Sequence, residues 1–127
     1  SIFQPGDHGS TFGGNPLACA VAREALKVIE DEKLIEKSLF LGHYLKESLR
    51  NILSPYVKEV RGMGLLIGVE LKKSAGGARK FCETLMEKGI LCKETHKHVI
   101  RFAPPLTITK EELDWALDRI ESVLTVP

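Results

Sequence analysis

Apolar residues recur at helical spacing in four stretches of the chain and fill four shorter runs between them, with glycine, proline and polar clusters as punctuation. The first helical stretch opens at Asn15-Pro16, a good N-cap followed by the residue favoured at the first helical position. Leu17, Val21, Ala25 and Val28 form its stripe, Ala18, Ala22 and Ile29 widen it, and it is predicted to end near Asp31-Glu32-Lys33. A second helix is predicted from Leu34 to about Leu53, with Leu41, Leu45, Leu49 and Ile52 on its apolar face and Ser54-Pro55 as its stop. Ala78, Phe81, Cys82 and Leu85 mark a third helix closed by Lys88-Gly89. The last helix begins with the capping box Thr109-Lys110-Glu111-Glu112, stapled by Ile108 and Leu113, and runs on through Leu124.

Between these lie the strand candidates Tyr56 to Arg61, Leu65 to Leu71, Ile90 to Lys93 and Val99 to Phe102. Gly62-Met63-Gly64 reads as the turn joining the first two, and Glu94 to His98 as a polar turn joining the last two. The run Leu65-Leu66-Ile67-Gly68-Val69 is nearly all apolar, so its strand is expected to be central and buried on both faces. The order α, α, β, β, α, β, β, α predicts an α+β fold: a small, mostly antiparallel sheet with helices packed on one face. Residues 1 to 14, with four glycines, one proline and little periodicity, read as a loop belonging to no core visible in this chain.

Composition narrows the function. The 127 residues suffice for one modest core, and 43% hydrophobic with 28% charged content describes an ordinary globular chain. A net charge of +1 with dispersed basic residues argues against a nucleic-acid partner, and no apolar run approaches membrane-spanning length. The opening residues show no secretory pattern. Cys19, Cys82 and Cys92 form no CxxC pair, which points away from a disulfide framework or a metal site and towards a reducing, cytoplasmic setting.

Two stretches could carry chemistry. The loop His8-Gly9-Ser10-Thr11-Phe12-Gly13-Gly14-Asn15-Pro16 offers two hydroxyls and runs into a helix N-terminus with no acidic side chain before Glu24, a setting for an anion; a mobile terminal loop with an ordinary N-cap is the plainer alternative. Arg101 is the one charge in Val99-Ile100-Arg101-Phe102-Ala103-Pro104-Pro105-Leu106. It is either a guanidinium awaiting a carboxylate or a strand residue pointing to solvent by alternation. His96 and His98 lack a third ligand, so a turn is expected there rather than a metal. The glycines of Arg61-Gly62-Met63-Gly64 are explained by a hairpin, and Cys92 is expected to be a small apolar strand residue.

The segment Pro5-Gly6-Asp7-His8-Gly9-Ser10-Thr11-Phe12-Gly13-Gly14-Asn15-Pro16-Leu17-Ala18-Cys19 resembles the class III aminotransferases, fold type I enzymes that use pyridoxal phosphate. The likeness continues through Val60-Arg61-Gly62-Met63-Gly64-Leu65-Leu66 and through Val99 to Leu106, covering essentially the whole chain in order. Leu91-Cys92-Lys93-Glu94-Thr95-His96 and Ile100 to Leu106 are most similar to the family's ornithine branch; Ala103 stands where the acetylornithine branch usually has a bulkier apolar residue.

The resemblance implies that residues 15–127 are the C-terminal small domain and residues 1–14 an arm on the large-domain side. It implies that Thr11, with Ser10 beside it, hydrogen-bonds the cofactor phosphate in the neighbouring subunit of a homodimer, and that Arg101 holds a substrate carboxylate. The substrates implied are small amino and keto acids: ornithine passing its side-chain amino group to 2-oxoglutarate. None of the twelve lysines lies in the family's cofactor-bonding motif, so the chain is expected to hold no catalytic residue, to bind no metal and to be inactive alone, a piece of a longer enzyme. The alternatives are a fragment of an acetylornithine or other ω-amino-acid aminotransferase, and a non-catalytic module that binds an anion or mediates association.

Overall fold

The computed structural model describes residues 2 and 4–125 and divides into two compact units, Ser1–Leu34 and Ile35–Pro127. The first holds the loop and helix α1 (Pro16–Asp31). The Asn15 side chain accepts a hydrogen bond from Ala18 N at 2.9 Å and donates to Phe12 O at 2.8 Å, so one residue both caps the helix and turns the loop into it. No residue of α1 is buried.

The second unit contains most of α2 (Leu34–Asn51), then β1 (Val57–Met63), β2 (Leu66–Leu71), a 3₁₀ turn (Lys73–Ala75), α3 (Arg79–Glu87), β3 (Lys93–Thr95), β4 (Val99–Phe102) and α4 (Lys110–Leu124). The four strands form an antiparallel sheet in the order β1-β2-β4-β3, the small sheet the sequence pattern predicts. One face is apolar. Val60, Val69 and Ile100 are paired across the sheet, Ile67 pairs with Phe102, and all five join one core with Leu41, Leu45 and Leu49 of α2, Phe81 and Leu85 of α3, and Leu113, Ile120 and Leu124 of α4. Such burial is worth roughly 25 cal/mol per Å² of apolar surface, which makes this face the principal source of stability in the unit.

The opposite face of the sheet carries Met63, Arg61, Glu59, Leu66, Gly68, Glu70, Arg101, Lys93 and Thr95, none of them buried, together with Val99, which is buried. The expectation that β2 would be buried on both faces is therefore corrected. It is central, but Gly68 and Glu70 lie on the open side, and its burial alternates. Two turns also shift. The β1–β2 hairpin turns at Gly64-Leu65 rather than Gly62 to Gly64, because Met63 still pairs with Leu66. Gly64 alone has the positive φ (51°) that the first central position of a II′ turn requires. Strand β3 begins at Lys93 and not Ile90, since Ile90 and Cys92 turn towards the core instead.

The hairpin is held from behind by α2. A Cβ on Gly42 would lie 2.1 Å from Gly64 O, so helix and turn touch backbone to backbone, while Ser38 Oγ accepts from Leu65 N at 3.2 Å. Arg50 pins the end of α2 to β1, donating from Nε and Nη2 to Val60 O at 3.3 and 3.1 Å. Tyr44, Asp114 and Lys110 tie α2 to α4: the Tyr44 hydroxyl donates to Asp114, and Lys110 Nζ reaches Asp114 Oδ2 at 2.7 Å. The capping box of α4 is complete, with Thr109 Oγ1 accepting from Glu112 N and Glu112 Oε2 accepting from Thr109 N.

Candidate functional site

Arg101 sits on central strand β4, paired with Gly68 of β2 on one side and Lys93 of β3 on the other. Gly68 in turn pairs with Arg61 of β1, so Arg61, Gly68, Arg101 and Lys93 form one row across the open face. The alternation Val99, Ile100, Arg101, Phe102 puts Ile100 into the core and aims Arg101 away from it. Of the two readings left open for Arg101, the exposed one is correct as geometry, and it does not exclude a ligand.

The cations in this row are treated unequally. Arg61 Nη1 reaches Glu70 Oε2 at 2.6 Å and Glu59 Oε2 at 3.3 Å, and Lys58 Nζ meets Glu70 Oε1 at 2.5 Å. The hydrogen bonds from Lys58 and Arg61 hold the Glu70 carboxyl below its usual value. The Arg101 side chain makes no hydrogen bond or ion pair among the described residues. Gly68 beside it has no side chain to lie across the guanidinium, and a Cβ there would stand 3.3 Å from Val99 Cγ1. The five donors of Arg101 are thus free for a planar anion, and a carboxylate fits that fork in two parallel hydrogen bonds.

The strand pair that presents Arg101 is closed by the three-residue loop His96-Lys97-His98, in which His96 and Lys97 have φ of 49° and 63°. The loop is tied down on both sides: Lys97 O accepts from Ala78 N and His98 O from Leu71 N, each at 2.8 Å. His96 Nδ1 lies 3.0 Å from Thr95 Oγ1, and His96 and His98 both stand in this turn. Cys92 is packed against the core, and burial pushes its thiol up to about 12.

In the first unit the helix start is less of an anion site than its sequence promised. Pro16 has no N–H, Ala18 N is taken by Asn15 Oδ1, and Cys19 N bonds Asn15 O at 3.0 Å. Only Leu17 of the first turn keeps an uncommitted N–H among the described residues. Ser10 and Thr11 are different: both are exposed, and neither hydroxyl has a hydrogen-bond partner among the described residues. Gly13 makes room for Ser10, since a Cβ on Gly13 would sit 3.0 Å from Ser10 Cβ. Two adjacent hydroxyl donors suit phosphate oxygens, so this donor set fits the phosphate of pyridoxal phosphate. No lysine is buried; Lys46 is half-buried and the rest are exposed.

Lys93 is the residue the sequence pattern passed over. It ends an expected strand in the one-dimensional reading, and only the register places it opposite Arg101.

The model of the family described as aminotransferase class-III matches residues 1–124. Among curated proteins, the ornithine aminotransferase of Bacillus subtilis (strain 168) is 63% identical over 123 residues, 97% of this chain, and that of Geobacillus sp. (strain WCH70) is 65% identical over 122 residues, 96% of it. The chain spans about 30% of the length of these relatives. Among solved structures, an ornithine aminotransferase from Toxoplasma gondii superposes with a TM-score of 0.85 at 49% identity, covering 95% of this chain and 29% of that one. An acetylornithine aminotransferase from Elizabethkingia anophelis gives a TM-score of 0.85 at 42% identity, covering 96% of this chain and 33% of that one. The free guanidinium on a central strand, the hydroxyl-bearing glycine loop and the match over nearly all of its length agree: the chain belongs to the class III aminotransferases.

Proposed function

We propose that the whole protein of which this chain is a part is an ornithine aminotransferase, moving the δ-amino group of ornithine to 2-oxoglutarate to give glutamate semialdehyde and glutamate. The observation that carries the reading is Arg101, an exposed guanidinium with no carboxylate of its own on a rigid central strand. Both substrates and both products contain a carboxylate, and each would take the same fork in turn. The names of the relatives at 63–65% identity support ornithine over the acetylornithine alternative.

In this reading residues 1–14 are an arm on the large-domain side and residues 15–127 the small domain of a homodimer's subunit. The Ser10 and Thr11 hydroxyls would donate hydrogen bonds to the cofactor phosphate across the subunit boundary and so help fix the cofactor's position. Arg101 orients the substrate by its carboxylate, which converts recognition into alignment of the reacting amino group. Pyridoxal phosphate, when bound, supplies the electron sink for proton removal beside the amino nitrogen. The lysine that bonds it lies outside these residues, so the 127-residue chain alone turns over no substrate.

The test is the full-length protein loaded with pyridoxal phosphate, assayed with ornithine and with N-acetylornithine against 2-oxoglutarate. The expected result is a kcat/KM at least about tenfold higher for ornithine, a difference of about 1.4 kcal/mol in transition-state binding. Preference for N-acetylornithine would move the protein to the neighbouring branch. Turnover by the isolated chain would overturn the assignment of the missing lysine.

A further inference from the structure

A glycine in the middle of a central strand is locally unfavourable, because it packs no side chain and loses the most backbone freedom on folding. The other glycines of the second unit have a reason within this chain. Gly64, Gly76, Gly77 and Gly89 have positive φ, and a Cβ on Gly42 or Gly62 would lie 2.1 or 2.3 Å from a backbone oxygen. Gly68 of β2 has neither reason. The nearest atom to a Cβ there is Val99 Cγ1 at 3.3 Å, a side-chain contact that a shift of a few tenths of an ångström would relieve. What singles out Gly68 is its place in the ladder, between Arg61 and Arg101 in one row of the open face. Directly opposite Cβ atoms lie about 4.5–5.5 Å apart, so any side chain at position 68 would stand against the stem of Arg101. Lys93 already occupies the other flank of Arg101, and Arg61 is drawn into the neighbouring row by Glu59 and Glu70. This chain's own atoms therefore build a notch: Gly68 is its floor, Arg61 and Arg101 are its walls, and Val99 stands at one end.

We infer that Gly68 is a positioning residue for the reaction: the notch it leaves beside Arg101 admits the substrate carboxylate that the guanidinium holds. The inference rests on the reading of Arg101 as the carboxylate anchor. A glycine inside a strand commonly marks a place where a ligand approaches the backbone closely. A bidentate pair holds its carboxylate in the plane of the guanidinium, so it tolerates little sideways displacement. A side chain at position 68 would push the carboxylate, or the Arg101 stem beneath it, out of that plane. The effect acts through Arg101 and on substrate binding, and it needs no contact between Gly68 and the reacting atoms.

The experiment uses the full-length enzyme with its cofactor and compares Gly68→Ala, Gly68→Val and the double variant Gly68→Ala/Val99→Ala. Gly68→Val is expected to raise KM for 2-oxoglutarate about tenfold or more and Gly68→Ala about threefold, with kcat at saturation changed less than about twofold and cofactor absorbance unchanged. Val99→Ala is expected to leave the raised KM of Gly68→Ala in place, because the obstacle is to the substrate and not to Val99. In an Arg101→Gln background, Gly68→Val is expected to cost less than about twofold further, since the two residues act on one contact. A parent-like KM in Gly68→Val, or in Gly68→Ala if the valine variant does not fold, would overturn the inference. So would a lowered melting temperature and lost activity that Val99→Ala restores, which would mark Gly68 as a packing residue. If Arg101→Gln itself keeps full kcat/KM, the reading of Arg101 fails, and this inference falls with it.

Discussion

Helices α1 and α2 carry the same kind of apolar stripe and meet different fates. In α2, Leu45 and Leu49 are 2% and 1% exposed and form the back of the sheet's core. In α1, Leu17 and Val21 are 75% and 61% exposed, and no residue is buried. Periodicity reports that a face is made to be covered; it does not say by what. For the second unit the cover lies within these 127 residues. For the first, in the proposed enzyme, it comes from the remainder of a protein of which the matched relatives are about 30% represented here. The same division separates the two candidate contacts. Arg101 stands on a strand fixed by ladders on both sides, whereas Ser10 and Thr11 stand on an exposed loop.

The contrast is tested most strongly by truncation of matched leucines in the 127-residue chain. Leu49→Ala is expected to cost roughly 2–5 kcal/mol in urea unfolding, while Leu17→Ala costs under about 0.5 kcal/mol. Equal losses would mean that α1 already has its cover. Glycines give the next contrast. Gly42→Ala forces a methyl against Gly64 O and is expected to cost roughly 1–3 kcal/mol, whereas Gly9→Ala meets nothing within 4 Å and leaves the midpoint unchanged.

Thiol chemistry separates the same two regions. At pH 8, iodoacetamide is expected to alkylate exposed Cys19 of α1 at least about tenfold faster than Cys92, whose thiol burial holds protonated. Peptide mass spectrometry against time reads both rates, and comparable rates would contradict the packing of Cys92. The smallest effect concerns acid. The folded-state value of Glu70 is depressed by Lys58 and Arg61, so its contribution is full above 4.5 and is lost as pH falls through the depressed value. Glu70→Gln is therefore expected to flatten the acid limb of the stability profile below 4.5 and to leave neutral-pH stability nearly unchanged, because the network is exposed.

Much of the fold was legible because its signals are local. Asn15-Pro16, Thr109 to Glu112 and Lys88-Gly89 set helix ends through side-chain and backbone chemistry within a few residues, and the observed ends follow them. What was misread depended on partners distant in sequence. Apolar runs alone could not show that Gly68 and Glu70 face away from the core, or that Ile90 leaves the sheet, because those outcomes are set by pairing register. The candidate residues divide in the same way. Arg101 was visible as a lone charge in an apolar run, whereas its pairing with Lys93 is a property of the β3–β4 ladder. At the loop, Asn15 and Pro16 between them leave the helix start few donors for an anion, a local consequence of the same N-cap signal.

The most direct test of the account is Arg101→Gln in the full-length protein loaded with pyridoxal phosphate, with cofactor absorbance and steady-state kinetics measured side by side. The account predicts unchanged cofactor content and a fall of about 100-fold or more in kcat/KM for 2-oxoglutarate, the scale of losing a charged carboxylate anchor. Full retention of kcat/KM would show that the guanidinium on this open face holds no substrate, and would contradict the central claim.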